Sequence, residues 1–369
     1  MKYSLGLLLL SSTLLAQDWR FSLLLPNGEA PPPRIDGTIA YDADAASLYL
    51  FGGQARDTLN DLWRYSIPSK TWLRLEPTGT LPLPRLGHTL LFDEQRKRLI
   101  LFGGQGGGFF SDVWAFDLKT QRWSLLAPEN TGPSRRYGHS AILDTDTNRM
   151  IISHGFTDSG RFDDTWAFDL SSNRWLNITP SGTRPLRRCL HHAVLDPASR
   201  QMYLYGGCAS GFGPCPLGDL WSFDLRSNSW TEITGAVKPP PRQHYGISFD
   251  SRRKQLVLFG GGGGQGVLGD TWLFSSASRT WSELRNSIDA PSARLRHQGV
   301  YAPESGVSYF FGGSTSGGST AELWELRSGL AQLPRLAQNG FANAFSGIGQ
   351  AIAPGEIISL FGRDRKSVV

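Results

Sequence analysis

The sequence predicts an all-β chain: a six-bladed β-propeller of four-stranded antiparallel blades, closed by an N-terminal strand. Three observations point there. A unit of about fifty residues, seen in full at Pro84–Trp123, opens on Arg-x-x-His before an apolar run and a charged turn (Asp93–Arg98). A second apolar run ends on Gly103–Gly104, a Gly-rich loop leads to Asp112–Phe116, and Trp123 closes the unit. Trp63, Trp114, Trp166, Trp221, Trp272 and Trp324 recur at steps of 51, 52, 55, 51 and 52 residues, and Arg34, Arg85, Arg136, Arg188, Arg242 and Arg294 keep nearly the same step. Such a period, with paired glycines and tryptophans, is the signature of a propeller blade. The third observation is composition: 12 Trp, 43 Gly and 22 Pro in 369 residues suit many short strands joined by tight turns.

Taken in order, Met1–Ala16 carries Lys2, an apolar stretch Leu5–Leu15 and a small residue before Gln17. That pattern reads as a secretory signal peptide over 1–16, too short to span a bilayer. The mature chain is then secreted or periplasmic, or held at the cell surface, with no transmembrane segment. Residues 17–335 hold the propeller. Trp19 is the only tryptophan outside the six units, and the sixth unit has Leu333 where a second tryptophan belongs. The economical arrangement lends the strand around Trp19 to the last blade, which removes two exposed sheet edges; completion by Leu330–Leu333 is the rival. Within the second unit the strands fall at about His88–Phe92, Leu99–Phe102, Asp112–Phe116 and Arg122–Leu126, joined by links short enough for hairpins. The repeated tryptophans pack between blades.

These units resemble Kelch repeats from about Arg34 to Leu333. The double glycine, third-strand aromatic and fourth-strand tryptophan stand as Gly52–Gly53/Tyr65/Trp72, Gly103–Gly104/Phe116/Trp123, Gly206–Gly207/Phe223/Trp230 and Gly260–Gly261/Phe274/Trp281. The third unit has His154–Gly155 in place of Gly-Gly, and the sixth has Leu326 and Leu333 for its aromatics. Residues 336–363 lose the blade pattern. There, Ala353–Gly362 resembles the opening strand of an Ig-like module at the C-termini of bacterial secreted proteins, so 336–363 reads as a linker and truncated start of that module. Residues 364–369 (DRKSVV) read as a sequencing artefact.

The charge balance is 37 Lys plus Arg against 32 Asp plus Glu, with no basic run, which argues against nucleic acid. Gly260–Gly264 lacks the Gly-Lys-Ser/Thr of a phosphate loop, and no Gly-x-Ser-x-Gly elbow occurs. No cysteine or histidine spacing fits a zinc site, so neither metal nor cofactor is expected. Export permits a disulfide. Cys208 could pair with Cys215 across one loop, or with Cys189 across the ends of two strands.

Hairpin geometry puts the start of each first strand and each second-to-third-strand loop on one face of the disc. Those loops are long and Gly-rich and carry Phe109, Phe110, Phe156, Phe162 and Phe212; long loops on a rigid scaffold are where binding usually sits. The candidate ligand-binding set is the six arginines with His154, Arg161 and Phe110. The competing reading of the arginines is structural, since a residue repeated in every unit serves ring geometry. Repeated acids (Asp61, Asp112, Asp164, Asp219, Asp270) read as turn-capping acceptors. No catalytic residue is assigned. The sequence therefore implies a secreted binding module for a carbohydrate or protein ligand. The alternatives are a purely structural surface protein and a carbohydrate-active enzyme resembling periplasmic Kelch sugar-acid epimerases, with His154 or a ring arginine as its acid/base group. The copper set of a galactose-oxidase-like enzyme has no place in these residues.

Overall fold

In each blade the inner strands are mostly buried on both faces, and the outermost strand is largely exposed around its packed aromatic. In the second, Thr89–Asp93, Arg98–Phe102, Val113–Asp117 and Arg122–Ala127 pair antiparallel in sequence order, within a residue of the sequence expectation. The computed structural model describes residues 19–285, 289–328, 341–343 and 358–360. The first strands of the other blades are Thr38–Asp42, Ser140–Asp144, His192–Asp196, Gly246–Asp250 and Gln298–Ala302. Six four-stranded antiparallel blades stand in a ring, as the sequence predicts.

In the last blade the sheet order is Trp19–Leu24, Leu323–Ser328, Val307–Phe311, Gln298–Ala302, so the N-terminal strand is the outermost member. Phe21 is 1 % exposed, with its ring 5.2 Å from Phe259, 6.2 Å from Phe310 and 6.5 Å from Trp324. The rival stretch Leu330–Leu333 lies outside the described residues, as do the signal segment 1–16 and the tail 364–369. The chain divides into two units, Arg20–Arg327 and a second comprising Met1–Trp19 and Ser328–Val369. Within the latter, Phe341–Asn343 pairs antiparallel with Ile358–Leu360.

The core lies between blades. Each fourth-strand tryptophan meets the third-strand aromatic of its own blade (Trp72–Tyr65 5.0 Å, Trp123–Phe116 5.3 Å, Trp175–Phe168 4.9 Å) and a second-strand aromatic of the preceding blade (Trp72–Phe311 5.4 Å, Trp123–Phe51 5.3 Å, Trp175–Phe102 5.1 Å). Tilted and edge-on pairs at these separations suit the ring quadrupoles. The third blade has Ser153 at that second-strand position, and the neighbouring His154 ring fills the place, 5.9 Å from Trp230.

The Gly-Gly pair has a steric cause at Gly53. Its φ is +95°, and an added Cβ would meet the Gly37 backbone at 2.7 Å and the Ile35 carbonyl at 2.8 Å. His154 occupies the first position of the pair at φ +60°, while Gly155 keeps the second at φ +111°. The first position thus tolerates the left-handed region in a non-glycine residue; the second has no room for a side chain.

Candidate functional site: the loop-bearing face

Each blade's first strand begins beside the loop that follows its second strand. The bridges Ile35↔Gln54, Leu86↔Gln105, Tyr137↔Phe156, Cys189↔Cys208 and Leu295↔Ser314 repeat this contact around the ring, and Arg242–Gln243 pairs with Gly262–Gly263 in the fifth blade. The expected shared face is therefore present.

Its six arginines are 0–1 % exposed. Arg85 shows the pattern: Nε donates to the Leu83 carbonyl (3.0 Å), Nη1 to the Gly103 carbonyl (3.0 Å) and Asp112 Oδ1 (2.7 Å), Nη2 to Asp112 Oδ2 (3.0 Å). The Trp114 indole donates to the same carboxylate at 2.7 Å. Arg34–Asp61–Trp63, Arg136–Asp164–Trp166, Arg188–Asp219–Trp221 and Arg242–Asp270–Trp272 repeat it, and Glu322 serves Arg294 and Trp324 in the last blade. Burial would raise the Asp61, Asp164, Asp219 and Asp270 carboxyls, but their arginine and indole donors outweigh it and hold all four below the usual range. The repeated acids are thus the arginines' partners rather than turn caps. The planar guanidinium fork needs a bidentate acceptor, which a carboxylate supplies.

Two residues beyond each arginine, Asp36, Gly87, Gly138, Leu190, His244 and Arg296 all have φ between +52° and +62°. Each amide donates to the carbonyl of the residue before it around the circle: Asp36 to Arg296 (3.0 Å), Gly87 to Asp36 (3.2 Å), Gly138 to Gly87 (3.0 Å), Leu190 to Gly138 (2.8 Å), His244 to Leu190 (3.0 Å) and Arg296 to His244 (2.7 Å). Six residues, each donating through its N–H and accepting through its C=O, form a closed hydrogen-bonded ring.

Side chains meet over that ring without six-fold symmetry. Asp36 accepts from Arg296 Nε (2.8 Å) and Nη2 (2.6 Å), faces His244 Nδ1 at 3.5 Å, and takes a long bond from the Tyr137 hydroxyl (3.4 Å). Burial would raise the Asp36 carboxyl; His244 and Arg296 reverse this and leave it below its ordinary value. Sequence reasoning missed this cluster. Its only trace in the sequence is that the arginine-plus-two position carries charged or ionisable residues in three units (Asp36, His244, Arg296) and glycine or leucine in the others.

The remaining predicted residues separate by accessibility. Phe110 is buried (6 %) with the Arg85 guanidinium 4.1 Å from its ring centroid. His154 is wholly buried, its pKa lowered to about 3 by desolvation and then by Arg188, and its ring packs on His191 and Trp230. Arg161 is half-buried and ties two loops together, donating to the Cys208 carbonyl (3.1 Å) and the Ser210 carbonyl (2.6 Å) while stacking on Phe156 at 5.2 Å. Cys208 and Cys215 form a disulfide within that second loop, and Cys189 is a buried thiol. Of the nine ligand candidates, Arg161 alone reaches the surface.

The fold and this repeated lock define a Kelch-type propeller. A family model described as the KLHDC2/KLHL20/DRC7 Kelch-repeats domain matches residues 12–207 and 171–332, and the chain belongs to the Kelch-repeat family. Among similar curated proteins, Kelch domain-containing protein 10 of Homo sapiens is 26 % identical over 83 % of this chain and 73 % of its own length. The leucine-zipper-like transcriptional regulator 1 homolog of Drosophila melanogaster is 26 % identical over 73 % of this chain, and host cell factor of the same organism 27 % over 71 %. Those matches span 28 % and 19 % of the two relatives.

Proposed function

We propose that the chain is a protein-interaction module whose partner docks on the loop-bearing face. One observation carries this: that face displays large apolar side chains on its loops and interblade links, namely Leu81 (42 % exposed), Leu83 (61 %), Leu186 (47 %), Phe212 (49 %), Val237 (59 %) and Val267 (44 %). Arg187 lies over the Phe212 ring at 5.3 Å. Aromatic residues and arginine on a rigid surface are the usual composition of protein interfaces. A sugar acid is less well served, because the arginines suited to it are spent on carboxylates inside the chain. The test is capture of binding proteins by the wild-type chain, by a Leu83→Asp/Leu186→Asp/Phe212→Asp variant, and by an outer-edge control, Leu125→Asp. Partners held by wild type and control but lost by the loop variant support the reading. Partners that ignore the loop substitutions contradict it.

We infer further that residues 1–16 direct export. The segment's composition and the Cys208–Cys215 disulfide support this. Mature protein beginning at Gln17 is the expected result; retention of Met1 in mature protein would overturn it.

A further inference from the structure

The first strands line a space that extends to the face opposite the peptide ring, where the turn residues Ala43, Glu94, Thr145, Pro197, Ser251 and Glu304 border it. That space is a cavity of about 460 Å³, within the size range of small-molecule sites. Its lining distinguishes it from a plain water channel. No lysine or arginine contributes; the only charged residues are Glu94 and Glu304, both on the turns at the mouth and both exposed. Among the described residues neither forms an ion pair. Deeper in, the histidines lining the wall are neutral, since burial lowers His88 to about 3 and His192 to about 4.

The aromatic residues of the mouth are grouped. At the penultimate position of the first strand, the fifth, sixth, first and second blades carry Phe249, Tyr301, Tyr41 and Phe92, while the third and fourth carry Leu143 and Leu195. These four blades are consecutive around the ring, and the two glutamates belong to the same arc. Two of the rings are fixed in place: the Tyr41 hydroxyl donates to Glu304 Oε2 at 2.9 Å, and that of Tyr301 to Asp250 Oδ1 at 2.6 Å. The rim already holds one ammonium in such surroundings, with Lys97 Nζ 5.7 Å from the Phe92 centroid and 2.5 Å from Asp44 Oδ2.

We propose that this turn-face mouth is a second binding site, selective for a primary alkylammonium group on a slender apolar chain. Carboxylates and aromatic faces attract the cation. The aliphatic body enters between the first strands, whose wall includes Ala40, Leu90, Ile142 and Val194. Two sources supply this chemistry: a free diamine and a lysine side chain of another protein.

The probes are 1,5-diaminopentane, its neutral counterpart 1,5-pentanediol, and the peptide acetyl-Gly-Lys-Gly-amide, titrated calorimetrically into the full chain at low ionic strength. Saturable binding of the diamine or the peptide, with no response to the diol, supports the site, and the tighter of the two names the source. The Glu94→Gln/Glu304→Gln variant should weaken that binding by about tenfold or more, since it removes both charges. A Phe92→Leu variant, which keeps apolar bulk at a part-exposed ring of the mouth, should weaken it as well. Equal binding of the diol, unchanged affinity in the glutamine variant, or no amine binding overturns the proposal. The loop-face aspartate variant should leave the titration unchanged, so this site and the protein-docking face stand or fall separately.

Discussion

Arg85 and Asp112 meet through two parallel hydrogen bonds of 2.7 and 3.0 Å, with the guanidinium fully buried and the Trp114 indole closing on the same carboxylate. This contact joins the opening of a blade to its third strand. Removing the acid strands a buried charge, so Asp112→Ala should lower stability by about 3–5 kcal/mol. Arg85→Lys should also destabilise, because an ammonium cannot make the fork. Chemical denaturation measures both; variants within 1 kcal/mol of wild type would show that the pair contributes little.

Acid should unfold the chain earlier than carboxylate chemistry alone predicts. Desolvation holds His139, His191 and His297 well below 6.5 and lowers His88 and His154 to about 3. A histidine neutral in the fold binds its proton first in the unfolded chain, so stability is fully present above the unfolded pKa near 6.5. It is lost as pH falls toward the folded values, by about 1.4 kcal/mol per pH unit for each such group. The arginine-bound aspartates, whose folded values are depressed, add their loss only below about pH 4. Melting temperatures from pH 7.5 to 4.5 should decline from just below neutrality. A flat profile down to pH 5 would contradict neutral burial.

Gly87 and Gly107 should respond in opposite ways to alanine. A Cβ on Gly87 would lie 2.1 Å from the Tyr137 ring, at φ +58°, whereas nothing lies within 4 Å of one on Gly107. Gly87→Ala should cost roughly 2 kcal/mol or more through overpacking and strain, and Gly107→Ala should be near neutral. Equal melting temperatures for the two would remove the steric argument for the axial ring.

Phe21→Ala tests closure. The side chain packs on Phe259, Phe310 and Trp324, so the truncation should cost about 3–5 kcal/mol. A cost near zero would show that the N-terminal strand is dispensable.

The blades were legible because a fifty-residue period with two tryptophans leaves one architecture that buries them all. Closure was legible from a missing tryptophan at Leu333 and a spare strand around Trp19; the ring that packs on Phe259, where the other blades use a fourth-strand tryptophan, is that of Phe21. The acids were misread because an aspartate before a strand is a common turn cap, and its arginine stands 27 to 31 residues earlier, beyond any local pattern. His154 drew attention as an oddity, but the physical cause was next to it: Ser153 leaves a gap on Trp230 that the imidazole fills. The Asp36–Arg296 contact was hidden for a different reason. Those residues are 260 apart in sequence and meet only because the ring closes.

Hydrogen–deuterium exchange on the chain with a captured partner bound tests the docking face most directly. Protection should concentrate in the loops at 105–111, 208–218 and 262–269 and in the links around Leu83 and Leu186, leaving the turn at 93–98 unchanged. Protection confined to that turn face, or to the outer strands, would contradict the assignment of the loop-bearing face as the site of protein binding.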